Sequence, residues 1–439
     1  MSEMSEGIQI RTGFDRELAW QRGGSYRYLV ANLEAPSVER PATRRPPLHL
    51  ALVIDRSGSM GGPRIEAAKQ AAIGVTEQLR PEDHLSVVSF DDRVEVLCER
   101  QAMDTEGKRI ATAAIAALEA RAMTNLSEGW LSGAECLARS MERGFGLQCR
   151  VVTLTDGKAN QGILHGDELA HHASELRQRG IVSSAVGIGD DYAPDHLLAI
   201  AESGGGNVHD AELPDEIAAM VMGELGETLS TFADDLVLEI GAPAGVELVC
   251  WNRFPLSRTG ESWECSLGAL PASTSRRVVF TVRTPAGPLG ASLAFRVAAR
   301  WRVPGSQELR RTPASELRLT FVRGHENSHQ PRDIARSLEV ARVWQARLIR
   351  EATELNRRHD FHGVRRLLRH ELRHLERYCS GLPGGEELVH DTCRLRGLAE
   401  RPLHERNLKQ LGWLAYSEHS GRSDYSLRER GSWTNHLEG

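Results

Sequence analysis

A near-continuous apolar run, Leu48 to Ile54, ends abruptly at Asp55 in LHLALVIDRSGSM, and little else in the chain restricts its fold as tightly. The run lacks the alternation of a half-wetted strand, which predicts a strand covered on both faces at the centre of a parallel sheet. Asp55, Ser57 and Ser59 then place one carboxylate and two hydroxyls within five residues. Gly58 between the serines lets the backbone turn tightly enough for the three oxygens to face one point. Oxygen-only donors of this kind suit a hard divalent cation, Mg²⁺ above all.

Two later segments extend the pattern. Thr124, in Met123-Thr124-Asn125-Leu126, lies in a loop ahead of a predicted helix, and Asp156 follows the apolar run Val151 to Leu154. Ligands of open parallel sheets bind outside the carboxyl ends of the strands, where the winding reverses, so the three segments are candidates to meet at one crevice. The order D-x-S-x-S, then Thr, then Asp in T-D-G resembles the metal-ion-dependent adhesion site (MIDAS) of the von Willebrand factor A family. Asp55, Ser57, Ser59, Thr124 and Asp156 match it in order and without departure. The resemblance spans residues 48–230 and implies a doubly wound, mostly parallel, six-stranded α/β sheet. It further implies Mg²⁺, with Mn²⁺ or Ca²⁺ as substitutes, held by those five residues, and a rim shaped by Gly58, Asn125 and Gly157.

Composition bounds the remaining possibilities. A chain of 439 residues is long for one core, so two or three domains are expected. The apolar fraction of 40% and charged fraction of 26% fit a soluble globular protein. A net charge of −6 is too small to argue for nucleic acid or membrane binding by the chain as a whole. Met1 to Gln9 is polar and acidic, and no apolar run approaches the ~18 residues of a membrane span, so neither secretion nor membrane insertion is expected. The seven cysteines are scattered, odd in number and without a C-x-x-C pair, which predicts small core residues in a reducing, cytoplasmic setting.

Before and after the central domain the patterning differs. Residues 1–47 carry two strand-like runs, Ile8 to Arg11 and Tyr26 to Leu33, then a Pro- and Arg-rich linker. In residues 231–323 six short strand candidates follow one another without helices: Leu236 to Ile240, Val246 to Trp251, Trp263 to Leu267, Arg277 to Val282, Ser292 to Trp301 and Glu316 to Val322. That is the pattern of an antiparallel sandwich, which the two early strands would bring to about eight, with the central domain inserted between. The arrangement resembles bacterial von Willebrand A proteins with a β-rich domain beside the metal-binding one. Residues 324–439 are expected to be a polar loop to Arg332, helix from Asp333 to Tyr378 interrupted near Asp360, a weakly helical stretch to about Leu411, and a polar tail past Gly421.

Other motifs weigh less. His370-Glu371-Leu372-Arg373-His374 spells H-E-x-x-H on a predicted helix, but Arg369 and Arg373 stand where a dication would sit and no third ligand extension follows. Between Pro331 and Cys379 twelve Arg face seven Asp or Glu, a balance that can mark an acidic partner or nucleic acid, but without interleaved aromatics a solvated helix face is favoured over both. A phosphate-transferring aspartate would want a second carboxylate two residues on, and that position is Ser57, so enzymatic activity is disfavoured. The expected function is a non-enzymatic adaptor whose metal captures an Asp or Glu of a partner protein. The alternatives are a subunit serving an AAA+ ATPase or larger complex, an acid of the chain's own tail occupying the metal site, and, least favoured, a metal-dependent hydrolase.

Overall fold

The computed structural model describes residues 7–37, 45–121, 123–142, 147–156, 161–189, 194–211, 214–252 and 254–421. They divide into two compact units, one within 1–37, 236–301 and 310–439, the other within 38–235 and 302–309. The chain opens with β1 (Gln9–Phe14), β2 (Leu18–Trp20) and β3 (Tyr26–Glu34), which belong to the first unit, and then enters the second.

The second unit alternates strand and helix: β4 (Leu48–Asp55), α1 (Pro63–Gln78), β5 (His84–Phe90), β6 (Val94–Ala102), α2 (Thr105–Ala116), α3 (Leu126–Met141), β7 (Gln148–Thr155), α4 (Gly166–Gln178), β8 (Ile181–Ile188), α5 (Pro194–Gly204), β9 (Gly205–Ala211) and α6 (Pro214–Leu229). The strands form one six-stranded sheet in the order β6-β5-β4-β7-β8-β9. Neighbours run parallel except at the β5–β6 edge. This is the doubly wound sheet expected from the sequence. β4 and β7 are buried at every position, because helices cover both faces of the sheet. Leu48, Leu50, Leu52 and Ile54 share one core cluster with Ile65, Ala72 and Val75 of α1 and Val221 of α6. On α6 the buried Glu224 accepts from Ser184 Oγ at 2.5 Å and Asn207 Nδ2 at 3.0 Å, which fastens that helix to β8 and β9.

The other face is closed by α3, whose glycines let it approach unusually near. A Cβ at Gly129 would stand 2.5 Å from the Phe90 ring, and one at Gly133 would stand 2.5 Å from Val53 Cγ2. Gly129→Ala is therefore expected to destabilise by about 1–3 kcal/mol despite its better helix propensity, as the urea midpoint would record. Under the sheet, His49 has no exposed surface and its Nε2 lies 3.0 Å from Ser86 Oγ. Burial, with His84 and Arg100 adding repulsion, pushes its pKa down to about 3. Because the folded value lies below the unfolded one, the stabilisation is full above about pH 6.5 and is lost as pH falls toward about 3. Replacing His49 by Gln should flatten that acid limb, recovering on the order of 2 kcal/mol at about pH 5 in pH-dependent urea unfolding.

The first unit adds β10 (Thr231–Gly241), β11 (Glu247–Cys250), β12 (Leu256–Thr259), β13 (Ser262–Pro271), β14 (Ser275–Arg283), β15 (Ser292–Arg302), β16 (Leu309–Arg311) and β17 (Ser315–Val322). One sheet runs β1-β3-β14-β11, and the other β12-β13-β10-β15-β17-β2 with β16 on β15. Among the described residues eleven strands stand where about eight were expected. β2, β12 and β16 are only three or four residues long, too short for alternation to register. β2 also joins β17 in parallel within the otherwise antiparallel arrangement. The helices are α7 (Gly324–His329), α8 (Ile334–Arg357), α9 (Phe361–Cys379), α10 (Gly385–Cys393) and α11 (Glu405–His419), with a 3₁₀ turn at Arg394–Ala399. Two expectations are corrected. The polar loop after Val322 contains α7, stabilised by Glu326 Oε2 accepting from Arg323 N at 3.0 Å, and the last helix continues to His419 rather than fading near Leu411. The tail past Gly421 lies outside the described residues.

Three distant stretches of chain meet in an aromatic cluster. Tyr28 of β3 packs edge-on against Trp251 (4.9 Å) and Tyr378 (5.2 Å), and Trp251 against Trp344 (5.1 Å). Trp344 Nε1 donates to Glu371 Oε2 at 2.8 Å, so the glutamate of the H-E-x-x-H stretch is engaged by the core. All seven cysteines are free, and no helix among the described residues is long and apolar enough to cross a membrane.

Candidate functional site

The winding of the sheet reverses between β4 and β7, and the two carboxylates read from the sequence stand there. Asp55 closes β4 and Asp156 follows β7, both with no exposed surface. Asp55 Oδ1 accepts from Ser57 N at 2.8 Å, and Oδ2 accepts from Thr155 Oγ1 at 2.5 Å. From Ser57 a chain of hydroxyls crosses to the second carboxylate: Ser57 Oγ lies 3.1 Å from Ser59 Oγ, which donates to Asp156 Oδ1 at 2.7 Å. Since the Ser59 proton points to Asp156, Ser57 is the donor in the first of these bonds.

Thr124 stands on the segment ahead of α3. Arg121 N donates to Arg56 O at 2.6 Å, and Asn125 N donates to Asp91 O at 2.8 Å, so the segment ahead of α3 is laced to the ends of β4 and β5. From the other side, Ile163 N donates to Ser127 Oγ at 2.9 Å. Gly162 sits so near Asn125 and Ser127 that a Cβ there would lie 2.4 and 2.3 Å from their side-chain oxygens. Thr124 itself is buried. Four of the five predicted site residues are thus joined in one hydrogen-bonded chain, and the fifth stands on a loop held against it. Of the expected rim, Gly58 is exposed in the 3₁₀ turn Gly58–Met60, whereas Asn125 caps α3 through Glu128 N at 3.3 Å. Gly157 lies outside the described residues.

Several neighbours were not singled out from sequence. Arg64, on the first turn of α1, places Nη1 2.6 Å from Asp156 Oδ2. Asp91 gathers Arg56 at 3.0 Å and Arg121 at 2.7 Å. Burial alone would raise its pKa, and the Arg121 hydrogen bond with other donors holds it below the usual carboxylate range. Met123, 48% exposed beside Thr124, supplies an apolar knob at the mouth. The one signal for Arg64 was its place on the first turn of the helix that leaves the serine loop.

The electrostatic asymmetry between the two aspartates is the distinctive property of the site. Asp156 has Arg64, while no basic side chain among the described residues pairs with Asp55. Burial pushes the Asp55 pKa up to about 6, hydrogen bonds from Thr155 and Ser57 pull it back in part, and Asp156 adds repulsion. Two carboxylates, two hydroxyls and a nearby threonine form an all-oxygen donor set, chemically matched to a hard cation.

A family model described as "von Willebrand factor type A domain" matches residues 49–221, the stretch that carries this sheet and its crevice. Residues 49–221 are a von Willebrand factor type A (VWA) domain. An uncharacterized protein of Synechocystis is 36% identical over 178 residues, covering 39% of this chain and 40% of that protein. The chain thus spans less than half the length of that relative. Among solved structures, the von Willebrand factor type A protein from Catenulispora acidiphila superposes with a TM-score of 0.66 at 16% identity, covering 89% of each chain. The ArnB paralog VWA2 from Sulfolobus acidocaldarius reaches 0.56 at 15% identity, covering 94% of this chain and 99% of that one. The likeness in fold therefore extends beyond the VWA domain to the strands and helices around it.

The buried charge gives the VWA domain a measurable liability. Because the folded pKa of Asp55 lies above its unfolded value, its carboxylate costs stability as pH rises from about 4 through about 6. Asp55→Asn removes that charge, so in EDTA at about pH 8 it is expected to raise unfolding stability by about 1–3 kcal/mol and to give no gain at about pH 4. Paired urea titrations at the two pH values measure the difference.

Proposed function

We propose that the VWA domain is a non-enzymatic protein-binding module. Asp55, Ser57, Ser59, Thr124 and Asp156 hold Mg²⁺, and an Asp or Glu of a partner protein docks on it. The observation that carries this reading is the buried Asp55 carboxylate facing no basic side chain among the described residues. A buried charge without a partner is costly, and a cation in the crevice removes the cost. Bound there, Mg²⁺ supplies positive charge and a coordination position for an outside carboxylate. The chain's own residues do the rest. Ser57 and Ser59 orient their oxygens through the hydroxyl chain, Thr155 fixes the Asp55 carboxylate, and Arg64 holds Asp156 in the metal-free form. Met123 offers an apolar, adaptable contact beside the carboxylate dock.

Partner selection then follows from charge and shape: the acid fixes orientation through a charge-assisted contact, and the rim discriminates what flanks it. VWA domains as a family are protein-interaction modules, which agrees with this reading.

Titrating Mg²⁺ into the purified chain tests it. Saturable binding by calorimetry is expected, with a stabilisation of about 2.7 kcal/mol at a hundredfold excess over Kd. Asp55→Ala and Asp156→Ala should each abolish both signals. Partner capture that is indifferent to EDTA and to Asp55→Ala would overturn the metal bridge.

A further inference from the structure

We propose that the groove between α9 and the 3₁₀ turn Arg394–Ala399 binds an acidic, amphipathic peptide segment of a partner protein, independently of the VWA site. The groove encloses about 620 Å³. Arg365, Arg369 and Arg373 line one wall at successive four-residue steps along α9, and Arg396 comes from the turn opposite. Like charges at that spacing destabilise a helix, so the row works against α9 unless something negative lies over it.

Nothing among the described residues fully does. Three arginines on or at the ends of α8 do have a carboxylate close in sequence: Arg336 with Asp333, Arg347 with Glu351 at 2.7 Å, and Arg358 with Glu354. Among the described residues no carboxylate pairs with Arg369, Arg373 or Arg396, while Arg365 Nη2 donates to Ala399 O at 3.0 Å, anchoring the turn to the helix. Four guanidinium groups against Glu376 and Glu400 leave the lining net positive.

The floor selects among anions. Leu368, Leu372, Cys393 and Ala399 give the groove an aliphatic base, suited to a Leu or Ile side chain rather than to inorganic phosphate. The lining contains no aromatic ring, and sequence-tolerant nucleic-acid binding relies on base stacking against such rings. Carboxylates above an apolar anchor meet both features: Arg forks take them bidentately while the floor buries the anchor.

Fluorescence anisotropy of the full chain with a labelled twelve-residue peptide of Leu and Glu at helical spacing tests the proposal. Saturable, salt-sensitive binding is expected. It should weaken at least tenfold in the Arg369→Glu, Arg373→Glu double variant, measurably in Arg396→Gln, and not at all in Asp55→Ala. Circular dichroism establishes that the exposed arginine substitutions and the buried Asp55→Ala each leave the fold intact. No binding, equal binding of the Gln-for-Glu peptide, or tighter binding of a twelve-nucleotide RNA or of inorganic phosphate at the same groove would overturn it.

Discussion

The VWA domain is arranged around a carboxylate at the end of a strand that keeps no wetted residue. β4 lies between two parallel neighbours and under helices on both faces, so the turn after Ile54 leaves Asp55 in a low-dielectric position. Its two oxygens are satisfied by Ser57 N and Thr155 Oγ1, but hydrogen bonds distribute a negative charge without cancelling it. That residual charge explains why the neighbouring elements are built as they are. The Thr155 hydroxyl turns toward it, the second aspartate is kept in check by Arg64, and the loop carrying Thr124 is tied back through Arg121 N and Asn125 N. Stability is given up locally at this buried carboxylate.

Close packing on the far face makes that positioning firm. Gly129 and Gly133 bring α3 down onto Phe90 and Val53, and the same helix begins at Asn125, one residue after Thr124. The depth at which α3 sits on the sheet thereby sets the height of the Thr124 loop. The loop after β7 is registered against the same helix start through Gly162 and Ser127. Two of the three segments that carry the candidate residues are thus referenced to one rigid element.

The β-rich unit solves a different problem, since its pieces come from both ends of the sequence. Tyr28, Trp251, Trp344 and Tyr378 come from separate parts of the chain, and the edge-to-face contacts among their rings, together with Asp15 accepting from Tyr28 N at 2.8 Å, give those parts a shared anchor. The helices on that anchor also carry the arginine row of α9, and Leu368 and Leu372 belong both to the core cluster and to the lining of the cationic groove.

The six-stranded sheet and the order of the site residues were legible in the sequence, because fully buried strands write continuous apolar runs and the ligand-bearing loops follow them directly. The run to Ile54 announced β4, and the run to Leu154 announced β7. Short, half-polar elements were not legible: β2, β12 and β16 offer too few residues for periodicity, and α7 depends on a capping contact between Arg323 and Glu326 that composition does not reveal. The ion pair of Arg64 with Asp156 spans 92 positions, and the aromatic cluster joins residues hundreds apart, so neither leaves a local pattern. Residue types and strand context determined which oxygens the site contains. Only the tertiary structure decided which carboxylate is neutralised and which is left charged, because that depends on where a guanidinium on another element comes to rest.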